Sequence, residues 1–141
     1  MMGRPNPGPI NFTMLLKQVN ALRNAVDGME PLPGIPKGEV LESSDCPIAR
    51  ALSNGVRAEV DWDEIIFTYP RTTTEDELKA AVERIKKAGF KMHNDEDGNI
   101  FTLRRFAKQI RVQPTKTMAN FIIKFDVEDL TEYIEGWEGS Y

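Results

Sequence analysis

Residues 74–89, TEDELKAAVERIKKAG, decide how the rest of the chain is read. Thr74 followed three positions later by Glu77 spells a capping box: the hydroxyl accepts from the Glu77 amide while the carboxylate reaches back to the Thr74 amide. Leu78, Ala81, Val82, Ile85 and Ala88 recur behind it at helical spacing, and Gly89 supplies the stop. The stretch predicts an amphipathic helix over 74–88, with one stripe buried and its charged side chains in water.

Both flanks of that helix read as strands. Upstream, Val56, Ala58, Val60 and Trp62 alternate with polar residues, and Ile65, Phe67 and Tyr69 continue the alternation one position out of phase. Either a bulge near Asp63-Glu64 shifts the register, or a tight turn there makes two strands. Downstream, 90–93 reads as a strand, 95–99 as a turn and 100–105 as its antiparallel partner, with 109–113 a further strand or a continuation. The order strand–helix–strand–strand over 64–106 is the kernel of an α+β fold, with an antiparallel sheet of about three to five strands.

Helices are expected at both ends of the kernel. Phe12, Leu15, Leu16, Val19, Leu22 and Val26 recur at helical spacing between Asn11, a good N-cap, and Gly28, so a helix is expected over 12–27. Its broad apolar stripe belongs on the sheet, and would equally suit pairing with a second copy in a homodimer. Near the end, Met118, Phe121, Ile122 and Phe125 fit a helix over 116–125, while Ala119, Phe121, Ile123 and Phe125 would fit a strand; Pro114-Thr115 as a helix entrance favours the former. The 141 residues are expected to form one domain, with an irregular arm at 1–10, a Pro- and Gly-rich loop at 29–45 and a tail at 134–141.

Composition narrows the functional classes. Hydrophobic content of 40% and charged content of 28% suit an ordinary globular protein. The apolar runs are too short for a membrane span, and MMGRPNPGPINF lacks the apolar core of a secretory signal. A single cysteine fits a reducing cytoplasm. The net charge of −4 is unevenly spread: 98–125 holds six basic and no acidic residues, leaving 12 basic and 22 acidic residues, a net −10, elsewhere.

Each candidate chemistry meets an obstacle. Cys46, in SSDCPIARAL (43–52), stands at a helix start, where free amides lower a thiol pKa. A phosphatase loop would need Arg where Leu52 stands, and the only histidine, His93, is far along the chain. Asp45 or Cys46 as cap, Pro47 in the first turn, and Ile48 and Leu52 facing the core explain the same stretch. HNDEDGNIF (93–101) places Asp95 and Asp97 at calcium-loop positions, but His93 takes the first and Arg104 the twelfth, and Asp97-Gly98 is a hairpin turn. One Cys and one His make no structural zinc site, and no Gly-rich phosphate loop is present. No catalytic residue, metal or cofactor is therefore expected.

Two surfaces remain. Arg104, Arg105, Phe106, Lys108 and Arg111 form a basic strip with an aromatic, a pattern that binds single-stranded nucleic acid through phosphate contacts and stacking. The same strip would also serve as an internal seam against acidic residues of 59–64, 75–77 or 126–138. At the C-terminus, Tyr133, Trp137 and Tyr141 alternate with acids, a composition suited to a protein interface. DCPIARAL (45–52) and NFIIKFDVEDLTEYIEG (120–136) resemble small uncharacterised proteins of actinobacteria and their phages. That resemblance implies a cytoplasmic, phage-type protein acting by binding, with no activity attached. The sequence thus favours a non-enzymatic protein-binding protein directed at a host protein, with nucleic-acid binding through 100–116 as the alternative.

Overall fold

The computed structural model describes residues 10–27, 31–36, 38, 42, 44, 46–53, 56–93, 101–103 and 107–128. The chain is an α+β protein. Its elements are α1 (Phe12–Asp27), α2 (Pro47–Leu52), β1 (Arg57–Val60), β2 (Ile65–Pro70), α3 (Glu75–Lys87), β3 (Phe101–Leu103), β4 (Ala107–Val112) and α4 (Lys116–Glu128). The strands form one four-stranded antiparallel sheet in the order β1-β2-β4-β3. One face of the sheet and the apolar stripes of all four helices share a single buried cluster.

α3 forms as its sequence dictates. Thr74 Oγ1 accepts from Glu77 N at 3.1 Å, and Glu77 Oε1 accepts from Thr74 N at 2.9 Å. These contacts hold the Glu77 carboxyl below the usual carboxylate range, so the cap is complete above that range and weakens as pH falls through it. At the other end Gly89 N donates to Lys86 O and Phe90 N to Ile85 O, the paired bonds of a Schellman motif. Gly89 has φ +97°, a conformation that strains residues carrying a Cβ. Arg84, in the last turn, donates from Nε to Ala25 O (2.8 Å) and from Nη2 to Val26 O (3.3 Å). A cation thereby meets the orphan carbonyls at the negative end of α1.

The ambiguity between bulge and turn resolves as a turn. Asp61 and Glu64 exchange backbone bonds around Trp62-Asp63, and β1 and β2 separate there. The expected strand over 90–93 is corrected: it is a single bridge, Met92 to Val112, and its neighbours bond to 111 and 113 rather than to 100–105. β3 pairs with β4 instead, Phe101 opposite Ile110 and Leu103 opposite Lys108. Residues 91–93 and 101–103 therefore lie in succession along the same edge of β4. Apolar alternation marks both pieces as strand but does not say which partner each takes. The expected turn at 95–99 lies outside the described residues.

The C-terminal set is a helix, and it runs three residues beyond 125 to Glu128. Thr115 caps it, its Oγ1 accepting from Met118 N at 3.2 Å and donating to Gln18 on α1. Phe121 meets Phe12 edge-on, ring centroids 6.0 Å apart, and lies 5.8 Å from Phe125. Of the expected 29–45 loop, the described stretch 31–36 is tied down by Asn20, whose amide accepts from Leu32 N (2.8 Å) and donates to Leu32 O (3.2 Å), imitating a strand partner. Ile35 follows into the core, fully buried. Asn20→Ala is expected to cost about 1–3 kcal/mol, since two backbone groups of the loop lose their partner; urea unfolding measures it.

α2 begins as the cap reading of Cys46 requires. Sγ accepts from Ala49 N at 3.3 Å, Pro47 enters the first turn, and the thiol is buried. Burial pushes the thiol up from its ordinary 9.0 to about 11, despite the amide contacts that pull it down. The unfolded thiol ionises first, so this group's contribution to stability is complete below about pH 9 and lost as pH rises towards 11. Wild type should lose about 2–3 kcal/mol against Cys46→Ala over that interval. Urea unfolding of both proteins at pH 7, 9 and 10.5 tests this, and a constant difference across the series would refute it.

Candidate partner surface on the open sheet face

Directly opposed residues of an antiparallel pair share a face, so the register sorts the sheet's side chains. Ala58, Phe67 and Ile110 form one row, and Val60, Ile65 and Val112 the next; all are buried. The alternating rows, Arg57–Thr68–Gln109 and Glu59–Ile66–Arg111, face away from the core. Arg57 is exposed and the others are half-buried. No helix among the described residues covers this side, which is how an antiparallel sheet commonly meets solvent or a partner.

Its polar groups are knitted together. Gln109 Nε2 donates to Thr68 Oγ1 at 3.3 Å. Arg111 Nη1 donates to Glu64 Oε1 at 2.7 Å, with only 16% and 24% of the two side chains exposed. A charge-assisted bond shielded to this degree is stronger than a surface ion pair. His93 joins them: its amide donates to Arg111 O, and its Nδ1 lies 3.5 Å from the same Glu64 oxygen. One carboxylate from the β1–β2 turn thus holds β4 through Arg111, and the edge segment 91–93 is held to β4 by its own backbone bonds.

Lys108, also in the predicted basic strip, takes another route. It stands opposite Tyr69, on the core side of the sheet, and its Nζ donates to Thr73 O just ahead of the α3 cap. That position puts its charge beside the acidic first turn of α3, Glu75, Asp76 and Glu77. Both described cations of the strip are therefore engaged inside the chain, Arg111 with Glu64 and Lys108 at the entrance to α3. Arg104, Arg105 and Phe106 lie outside the described residues, as do Tyr133, Trp137 and Tyr141 of the tail. Glu64 and His93 were not singled out from the sequence as parts of this face. A Glu immediately before an alternating run is an ordinary turn residue, and its partner is 47 positions away.

A second surface feature is a groove of about 560 Å³ between the first turns of α1, the chain leaving α3, and Thr115. Met14, Ala21 and Phe90 give it apolar surface and Lys17 a positive charge. Among the described residues, no three His, Cys, Asp or Glu side chains gather as metal ligands, and no helix is long and apolar enough to cross a membrane. Comparison of the chain with protein-family models, curated proteins and solved structures finds no match.

A double-mutant cycle of Arg111→Ala and Glu64→Ala should return a coupling of about 1–3 kcal/mol, against about 0.5 for an exposed pair. The coupling should persist at high salt, since the pair is largely shielded. Values near zero would show that the pair is no more than a surface contact.

Proposed function

We propose that this chain is a non-enzymatic, cytoplasmic protein-binding protein. The observation that carries the reading is the use of Arg111 and Lys108 within the fold. A phosphate-binding strip needs cations free to replace counterions on a nucleic-acid backbone, and a guanidinium already held by a shielded carboxylate is a poor one. What the open sheet face offers instead is a nearly charge-compensated, half-buried surface around Ile66, Thr68 and Gln109, which suits a protein partner.

The C-terminal residues 129–141 are the second element of the reading. Tyr133, Trp137 and Tyr141 act as anchors, because aromatics at an interface contribute large area at low entropic cost. Asp129, Glu132, Glu135 and Glu138 between them favour a basic partner surface. The resemblance to actinobacterial and phage proteins makes a host protein the partner to seek first.

The test uses the immobilised full chain in actinobacterial lysate, with and without nuclease, alongside purified oligonucleotides. Capture of a defined protein should survive nuclease and be lost with Tyr133→Ala/Trp137→Ala. Micromolar oligonucleotide binding that falls steeply between about 50 and about 200 mM salt would replace this reading with the nucleic-acid one.

A further inference from the structure

The outer face of the sheet is complementary to itself. One of its rows reads Arg57–Thr68–Gln109 and the next Glu59–Ile66–Arg111. The rows lie two residues apart along the strands, about 7 Å. Arg57 is exposed and Glu59 half-buried, and neither has an ion-pair partner among the described residues. Arg111 is already matched by Glu64. Of the charges in the two rows, the cation and the anion left unspent are therefore neighbours on β1, one in each row.

A two-fold axis that lies in the face, across the strands and between the rows, lays each row of one copy on the other row of its mate. Arg57 then meets Glu59, and that pair occurs twice. Thr68 brings its methyl group to Ile66. Gln109 gives its Nε2 to Thr68 and keeps its carbonyl oxygen for Arg111, which has N–H groups beyond the one bound to Glu64. No like charges oppose one another among these six residues. A two-fold along β2 does worse: it sets Glu59 on Arg111, already held by Glu64, and leaves Arg57 opposite an amide. The apolar stripe of α1 offers a twin nothing, because Leu15, Val19 and Leu22 are fully buried in the core.

We propose that two copies of this chain associate face to face through these rows as a two-fold dimer. The proposal rests on reading the open sheet face as a protein-binding surface, and it names a second copy as the occupant of that face. The C-terminal residues keep the separate partner assigned to them above. Aligned sheets pack within about 30° of one another, so the rows need only a small turn to oppose. Six side chains make a small interface, in the range of weak reversible complexes.

Sedimentation equilibrium of the full chain from about 10 µM to about 1 mM reads the association. Wild type is expected to dimerise reversibly within that range. Arg57→Glu sets acid against acid and Glu59→Arg base against base, so each variant alone should weaken the dimer about tenfold or more. An equal mixture of the two variants should restore it, because each copy then offers the charge that the other lacks. A misfolded variant could not be rescued in this way, so the mixture also controls for folding. A wild type that stays monomeric throughout the range overturns the proposal. So does a dimer that either substitution leaves intact, or one weakened by both that the mixture fails to restore. None of these outcomes depends on capturing a lysate protein through Tyr133 and Trp137, so the dimer and the protein-binding reading can fail separately.

Discussion

The pairing of β2 with β4 is the constraint on which the rest of the molecule hangs. Six consecutive residues, Ile65–Pro70, face Ala107–Val112, and each of these strands holds one outer strand on its far side. The two are roughly forty residues apart in sequence, so closing the pair carries a substantial entropic cost before any contact repays it. α3 lies between them in the chain and brings the backbone round. Its capping box and Schellman close fix where it starts and stops, which sets where the chain re-enters the sheet. Glu64 then ties the start of β2 to the end of β4 through Arg111, on the face away from the core.

The helices complete the other face by converging on α1. It receives Phe121 of α4 against Phe12, Arg84 of α3 at its C-terminal carbonyls, and the 31–36 stretch through Asn20. Three sequence-distant segments are thus held to one helix by three different interactions: ring packing, a charge at a helix end, and an amide imitating a strand. α1 carries one further charge inward, Arg23, which is 7% exposed within an otherwise apolar layer.

Elements specified by local chemistry were legible from the sequence. α3 was readable because cap, stripe and stop agree, and α1 because a long apolar period leaves little choice. The α4 set was open between helix and strand, and Thr115 decides it by capping. Strand partnership was harder. Residues 90–93 and 100–105 look like two arms of one hairpin, yet the described 91–93 and 101–103 both pair with β4, because pairing depends on which edge is free rather than on alternation. The surface was legible only in part. The basic strip was visible as charge, and an internal seam with 59–64 was among its readings, but the division of Arg111 to Glu64 and Lys108 to Thr73 follows from register. A one-residue slip would exchange the faces of those two side chains.

At the outer border of the sheet, the Ser53 hydroxyl accepts from the Ala58 amide at 3.0 Å. Ala58 lies between Arg57 and Glu59, whose backbone groups bond towards β2, so its amide points outward. An unpaired outward amide on an edge strand is a template for another chain. A serine just past α2 occupies it, and β1 is only four residues long. Sheet growth from this side is thereby discouraged. The guard at this border is thus a single side-chain oxygen, beside the end of the candidate partner face.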